Sequence, residues 1–97
     1  MDIFVGQTNL RLTLATGQVL TGSSSLLIKF KKPDNTTGSW TATIDGGDAT
    51  KMYFDIDNAS YLDIRGKWIF WAYVVFSGGT IGIGKAVAQI IKNPGEV

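Results

Sequence analysis

The side chains with the widest chemical repertoire in this 97-residue sequence are aspartates of its central third. Carboxylate oxygens bind calcium, and two carboxylates can act as the acid and base of a glycosidase. Their spacing lacks the twelve-residue loop closed by a glutamate, and aspartates in β turns usually bond the local backbone. A chain of this length also has little wall with which to build a substrate cleft. We therefore expect neither a metal site nor a catalytic pair among Asp45, Asp48, Asp55, Asp57 and Asp63.

A second motif, Gly79 to Lys85, has the Gly-x4-Gly-Lys spacing of a phosphate-binding loop. Such a loop requires a hydroxyl side chain after the lysine to hold magnesium, and a helix that begins there. Ala86 follows instead, and the eleven residues after it are too few for a helix and further strands. The glycines therefore predict a hairpin.

Two residue types that carry much of enzyme and metal chemistry are absent, because the sequence contains no cysteine and no histidine. Without cysteine there is no disulfide framework and no thiolate nucleophile. Without histidine, zinc sites and most general-base mechanisms lose their usual side chain. We accordingly predict a protein that is not an enzyme, with no catalytic residue, no metal and no cofactor.

Three lysines suggest a nucleic-acid surface. Lys29, Lys31 and Lys32, with Trp40 in the next predicted strand, could form a basic and aromatic strip for single-stranded nucleic acid. Phosphate binding normally draws on more positive charge than the net +1 of this chain. Lysines also protect exposed sheet edges from pairing with other chains. We therefore expect solvated lysines and no nucleic-acid partner.

The tryptophans suggest another binding surface. A carbohydrate-binding β-sandwich would stack sugar rings on aromatic side chains, and Trp40 and Trp71 are the candidates for that role. Tryptophans that alternate with Ile, Phe and Val belong more often to a core. A carbohydrate-binding module remains the alternative function.

Short strands must position these residues. Leu10, Leu12 and Leu14 alternate with polar residues, as in a half-buried strand. Turn residues recur about every eight to twelve positions, and no segment keeps the helical period over three turns. This pattern predicts an all-β, antiparallel sandwich of about seven or eight strands. We expect a single domain over residues 1–92 and a C-terminal tail at 93–97.

The strand boundaries follow from the turns. A single helical turn, capped by Asp57 or Asn58, is expected before Asp63. The predicted strands are Asp2–Val5, Asn9–Ala15, Leu26–Lys32, Ser39–Ile44, Lys51–Ile56, Lys67–Phe76 and Thr80–Ile91.

The strand Lys67–Phe76 is apolar on both faces. Such a strand lies between two layers of its own domain, or has one face covered by another chain. We expect the core face to comprise Trp68, Phe70, Ala72, Val74 and Phe76. The candidate interface residues are Ile69, Trp71, Tyr73 and Val75, together with Leu27.

Composition agrees with a partly covered surface. Hydrophobic residues make up 44% of the chain and charged residues only 18%, below the roughly 25% usual for soluble domains. The N-terminus lacks the basic stretch and apolar run of a signal peptide, and no apolar run approaches the ~20 residues of a membrane helix. We therefore expect synthesis in the cytoplasm and no membrane partner.

One corner of the sequence resembles a known architecture. Gly66-Lys67-Trp68, preceded by Asp63, is similar to the Gly-x-Tyr corner that enters the penultimate strand of immunoglobulin-like domains, with tryptophan in place of tyrosine. Phe70 stands where antibody domains have a cysteine. The resemblance implies an immunoglobulin-like β-sandwich.

Several turn and corner segments follow one another in a characteristic order: Val5-Gly6-Gln7-Thr8, Leu20-Thr21-Gly22, Lys31-Lys32-Pro33-Asp34, Trp40, Asp63, Gly66-Lys67-Trp68 and the strand that ends near Ile91. This order resembles the small β-sandwich proteins of tailed bacteriophage particles, in particular the N-terminal immunoglobulin-like domain of phage baseplate upper proteins. That resemblance implies a non-enzymatic structural protein of the virion, made in the host cytoplasm, which serves in the baseplate, tail or neck or decorates the capsid. Its implied partners are other virion proteins and further copies of itself.

Overall fold

A computed structural model describes residues 3–95 of the protein. The described chain forms nine strands and confirms the predicted all-β, mostly antiparallel sandwich. Asp2 of the first predicted strand and the last two residues of the predicted tail lie outside the described residues. The strands are β1 (Ile3–Phe4), β2 (Leu10–Ala15), β3 (Ser23–Lys31), β4 (Thr37–Thr41), β5 (Thr43–Asp45), β6 (Asp48–Ile56), β7 (Gly66–Phe76), β8 (Ile81–Ile83) and β9 (Val87–Lys92).

The strands form two sheets of unequal size. The six-stranded sheet has the order β1-β9-β7-β3-β4, and β8 also pairs with β7. The three-stranded sheet has the order β2-β6-β5. All pairings are antiparallel except the short parallel pairing of β1 with β9. Strand β7 is therefore the centre of the larger sheet, because β3 lies on one side of it and both β8 and β9 lie on the other.

The core lies between the two sheets and is rich in aromatic rings. The ring centroid of Trp40 is 4.5 Å from that of Phe30 and 4.9 Å from that of Phe54, which belongs to the opposite sheet. Trp68 is fully buried beside them. Burying about 200 Å² of an aromatic side chain at ~25 cal/mol per Å² stabilises the fold by about 5 kcal/mol before entropy losses. The core face of β7 is as predicted, since Trp68, Phe70, Ala72 and Val74 are buried and Phe76 packs against them.

Two predicted strands are each divided in two, so the prediction of one continuous strand was wrong in both places. Ser39–Ile44 is interrupted at Ala42, where the chain leaves the larger sheet as β4 and enters the smaller one as β5. The Ala42 amide donates to the carbonyl oxygen of Leu26 at 2.9 Å, which fixes this crossing.

The last predicted strand, Thr80–Ile91, is interrupted at residues 84–86. Tyr73 pairs with Ile83 and Phe70 pairs with Val87, so the two residues of β7 between these pairs face three residues of the closing segment. The extra residue accommodates close packing, since a Cβ on Gly84 would lie 3.0 Å from the Cβ of Ala72. Gly82 also packs closely, since a Cβ there would lie 3.0 Å from the ring of Phe76.

The predicted helical turn after Asp57 is instead a hydrogen-bonded turn. The Asn58 side chain accepts hydrogen bonds from the Ser60 amide at 2.9 Å and the Ser60 hydroxyl at 2.8 Å. The Tyr61 amide donates to the Asn58 carbonyl at 3.1 Å. These bonds satisfy the local backbone groups without a helix. Side-chain-to-backbone hydrogen bonds of this kind at Asn compete with helix formation.

The corner before β7 has the geometry that the sequence predicts. The Trp68 indole Nε1 donates to the Ile64 carbonyl at 2.8 Å, as a corner tyrosine would with its hydroxyl. Gly66 has φ +126°, and a Cβ there would lie 2.6 Å from Cγ of Pro33. The Lys32 ammonium lies 3.0 Å from the Asp63 carboxylate and ties the β3–β4 turn to the same corner.

Candidate interaction surface

The side of the larger sheet that faces away from the core carries a continuous apolar surface, which we call the apolar face. Its centre is on β7, where every second residue points away from the core and is only half-buried. Leu27 of β3 pairs with Tyr73 and so joins the same face. The five predicted interface residues are thus brought together, and they are Leu27, Ile69, Trp71, Tyr73 and Val75.

Strands β8 and β9 extend the apolar face. Ile83 pairs with Tyr73, and Ile81 pairs with Val75, so both isoleucines lie beside the predicted residues. Ile90 pairs with Lys67 on the same face. Ile81, Ile83 and Ile90 are 52%, 70% and 51% exposed, which is unusual for isoleucine.

Sequence reasoning missed these three isoleucines as interface residues because it treated Thr80–Ile91 as one strand. Ile81 and Ile83 alternate with Gly82 and Gly84, and this alternation was the available signal. A strand whose other face has no side chains, only glycine, can pack closely against its own sheet while it exposes both isoleucines.

The charges of the apolar face are all positive. Lys29 pairs with Trp71, and its ammonium lies 4.0 Å from the centre of the Tyr73 ring. Lys31 pairs with Ile69, and Lys67 lies on the same side of β7. None of the six strands of this sheet, within residues 3–95, contains an acidic residue. A partner surface with carboxylates would therefore meet uncompensated cations here.

The three predicted lysines do not form one strip with Trp40. Lys29 and Lys31 lie on the apolar face, whereas Lys32 is bonded to Asp63 at the corner. Trp40 lies in the core and is 9% exposed, so it cannot stack on a base or a sugar ring without unfolding its surroundings. Trp71 remains half-exposed on the apolar face.

The outer face of the smaller sheet has a different character. The Arg11 guanidinium binds the Asp55 carboxylate through two hydrogen bonds of 2.7 and 3.2 Å and lies 3.8 Å above the Tyr53 ring. The hydrogen bond from Arg11 holds the pKa of Asp55 below its usual value. Lys51 lies 3.9 Å from Asp48. Each carboxylate on this face therefore has a local partner.

Two further aspartates that drew attention in the sequence, Asp45 and Asp48, also bond locally. Asp45 accepts from the Gly47 amide at 2.8 Å, and Asp48 accepts from the Thr50 amide and hydroxyl at 2.9 and 2.6 Å. The hydrogen bonds from Thr50 lower the pKa of the Asp48 carboxyl. Among residues 3–95 there is no group of three or more Cys, His, Asp or Glu placed to hold a metal ion.

The Gly79–Lys85 motif is a hairpin, as its interpretation from sequence proposed. The Gly79 amide donates to the Phe76 carbonyl at 3.0 Å, and the Phe76 amide donates to the Thr80 carbonyl at 2.8 Å. The motif continues into strand β8, so no helix N-terminus faces it.

In the described part of the chain, no helix has the length and hydropathy needed to cross a lipid bilayer.

Comparison with known proteins supports the fold. No family model matches the chain, and no curated protein matches it in sequence. Among solved structures, CopC from Methylosinus trichosporium OB3b is similar with a TM-score of 0.63 at 12% sequence identity, over 99% of this chain and 88% of that one. At this identity the similarity shows a shared β-sandwich fold alone.

Proposed function

We propose that this protein is a non-enzymatic structural component of a bacteriophage particle, in its baseplate, tail or neck or as a decoration of its capsid, and that it binds neighbouring proteins through the apolar face. The single observation that carries the proposal is the pairing of β7 with β8. This pairing places Tyr73 and Val75, next to Trp71 on the same face, beside two largely exposed isoleucines, in a sheet whose described strands contain no acidic residue.

Exposure of the apolar face to water has an unfavourable free energy. Contiguous apolar patches larger than a few hundred Å² are rare on soluble monomers and usually mark contact sites. Aromatic residues with a cationic rim are also the composition enriched at protein interfaces. A neighbour that supplies apolar side chains at the centre and carboxylates opposite Lys29, Lys31 and Lys67 fits this surface.

The assignment to a phage particle is supported by the turn and corner residues that resemble phage β-sandwich proteins. The corner formed by Gly66 and Trp68 has the side-chain-to-backbone hydrogen bond of an immunoglobulin-like corner, the architecture that the resemblance implies. Low charge and multiple polar turns suit a protein whose surface is shared with neighbours in a particle.

The proposal is tested by incorporation into particles. Phage particles are purified on a density gradient from lysates of producing cells, and peptides of the chain are quantified by mass spectrometry. We expect the wild-type protein to copurify with the particles. The peptide signal of Tyr73→Glu in the particle fraction should be at least tenfold lower, since a carboxylate would be buried in an apolar contact. Thr43→Glu, on the outer face of the smaller sheet, is the matched control. A wild-type protein that stays entirely in the particle-free fraction contradicts the proposal.

The carbohydrate-binding alternative now depends on Trp71, because Trp40 and Trp68 are buried. A titration of tryptophan fluorescence with polysaccharides would report on Trp71 selectively. A saturable emission shift that disappears in Trp71→Phe would favour the alternative. Trp71 is half-buried on a basic, apolar face, and this environment favours a protein contact instead.

A further inference from the structure

The free edge of the three-stranded sheet is a second surface with unusual properties. Strand β2 is the last strand of that sheet and pairs with β6 on one side. The Thr16 amide donates to the Thr50 carbonyl at 2.9 Å, which sets the hydrogen-bonding phase of the pairing. Because bonded and non-bonded pairs alternate along an antiparallel pair, Arg11, Thr13 and Ala15 direct their N–H and C=O groups away from β6. Each of these residues therefore offers one donor and one acceptor along the free edge.

This edge lacks the devices that usually protect a sheet edge. Natural edges are kept short or are interrupted by Pro, bulges or unpaired charges. Strands β5 and β8 have three residues each, and β4 contains Gly38. Strand β2 has six residues and regular pairing throughout, and its single charged side chain is held by Asp55 on the outer face.

The same side of the sandwich is apolar and incompletely covered. A groove of about 350 Å³ lies between β2 and the start of β9, lined by Leu12, Leu14, Phe70, Ala72 and Val87 among others. Val87 pairs with Phe70 and so points toward the core side of its sheet, yet it is 49% exposed. Among the described strands, the smaller sheet ends at β2 and does not extend over this groove.

The sequence of β2 is self-complementary. We propose that two copies of this chain join through antiparallel pairing of their β2 strands about a two-fold axis at Thr13, so that the two smaller sheets become one continuous sheet. In this register Thr13 faces Thr13 of the second copy, and Arg11 faces Ala15. Each of these pairs exchanges two backbone hydrogen bonds.

The side chains agree with this register on both faces. On the inner face, Leu12 lies opposite Leu14 of the second copy and extends the apolar lining of the groove. On the outer face, the two arginines are separated by four positions of the paired strand, so they do not repel directly. An alternative register with the two-fold axis at Arg11 would place the arginines of the two copies directly opposite each other. Like charges in that position are unfavourable.

This inference concerns a surface other than the apolar face and rests on the proposed function in that it specifies how copies of the protein join. An interface of this kind is isologous, because the same edge serves on both copies. The apolar faces of both copies remain free for other neighbours in the particle.

The position opposite Thr13 provides a matched control. Thr13 and Thr43 both pair with Tyr53, from opposite sides, and both are exposed. Substitution to lysine at either position has a similar effect on the folded monomer. Thr13→Lys, however, places two ammonium groups directly opposite each other across the two-fold axis.

Sedimentation velocity and thiol cross-linking test the inference on the purified chain. We expect the wild-type protein and Thr43→Lys to sediment as dimers and Thr13→Lys as a monomer with an unchanged circular dichroism spectrum. The chain has no cysteine, so Thr13→Cys introduces a unique thiol. Paired Cα atoms about 5.5 Å apart are within reach of a disulfide or a short thiol cross-linker, so Thr13→Cys should form covalent dimers and Thr43→Cys should not.

Two results would overturn the inference. One is a wild-type chain that remains monomeric at high concentration. The other is an associated chain in which substitutions at Thr13 and Thr43 behave alike. Incorporation into particles is measured separately, so a failure of the β2 contact leaves the proposed function to be judged by the Tyr73→Glu result.

Discussion

The outer faces of the two sheets contain the same kinds of side chain in opposite arrangements. On the smaller sheet, Arg11 covers the Tyr53 ring and is bonded to Asp55, so the aromatic ring and the charges are mutually shielded. On the larger sheet, Lys29 covers the Tyr73 ring, but no carboxylate is present on the described strands of that sheet. The charged groups of one face are therefore paired within the chain, whereas the described strands of the other expose apolar and cationic side chains without a carboxylate.

The largest expected effect separates the two faces of β7 itself. Trp68→Ala should lower the free energy of unfolding by about 3–5 kcal/mol, since it empties a fully buried site. Trp71→Ala should cost about 1 kcal/mol in the isolated chain, because that side chain is already partly exposed to water. Urea unfolding followed by circular dichroism measures both values. Equal losses would mean that the apolar face is part of the fold's own core.

A smaller effect concerns binding by the two outer faces. Tyr73→Glu should weaken association with particle neighbours at least tenfold, or about 1.4 kcal/mol. Tyr53→Glu, which places a carboxylate at the corresponding aromatic position of the smaller sheet, should leave that association unchanged. The measurement is binding of each purified variant to particles that lack the protein. A greater loss for Tyr53→Glu would reverse the assignment of the contact face.

The smallest expected effect is electrostatic and lies on the smaller sheet. The pKa of Asp55 is lowered in the folded state by its hydrogen bond from Arg11. A carboxyl with a lowered folded pKa contributes stability above its unfolded pKa of about 3.9, and this contribution is lost as the pH falls through the folded value. Asp55→Asn should therefore lower the urea midpoint slightly at pH 7 and low salt.

The pair is exposed on both sides, so salt screens it. The difference between Asp55→Asn and the wild-type protein should disappear near pH 2 and in about 1 M salt, where the Debye length is about 3 Å. A difference that persists under both conditions would show that Asp55 acts through packing instead.

The alternation within β7 was sufficient to predict which of its residues form the core. Side chains in a strand alternate strictly between faces, so the burial of Trp68 and Phe70 follows once the strand is recognised. The exposed side of the strand follows by the same rule. The hydrogen bond from Trp68 to Ile64 at the corner belongs to the same class, because it joins residues only four positions apart in the sequence.

The division of two predicted strands was not predictable in this way. The chain changes sheets at Ala42 because Trp40 pairs in one sheet and Ile44 in the other, which is a property of the tertiary fold. The exposure of Ile81 and Ile83 likewise depends on the close contact of Gly84 with Ala72. From the sequence, Trp40 was a candidate for stacking on a sugar or a base. Its burial depends on Phe54, from a strand of the opposite sheet.

Hydroxyl-radical footprinting of the protein, free and assembled in its particle, tests the central claim most directly. Tyrosine and tryptophan on both outer faces are labelled in one experiment, which makes Tyr53 an internal reference for Trp71 and Tyr73. The account predicts that assembly lowers the oxidation rates of Trp71 and Tyr73 several-fold and leaves that of Tyr53 unchanged. Protection of Tyr53 with continued oxidation of Trp71 and Tyr73 would contradict it.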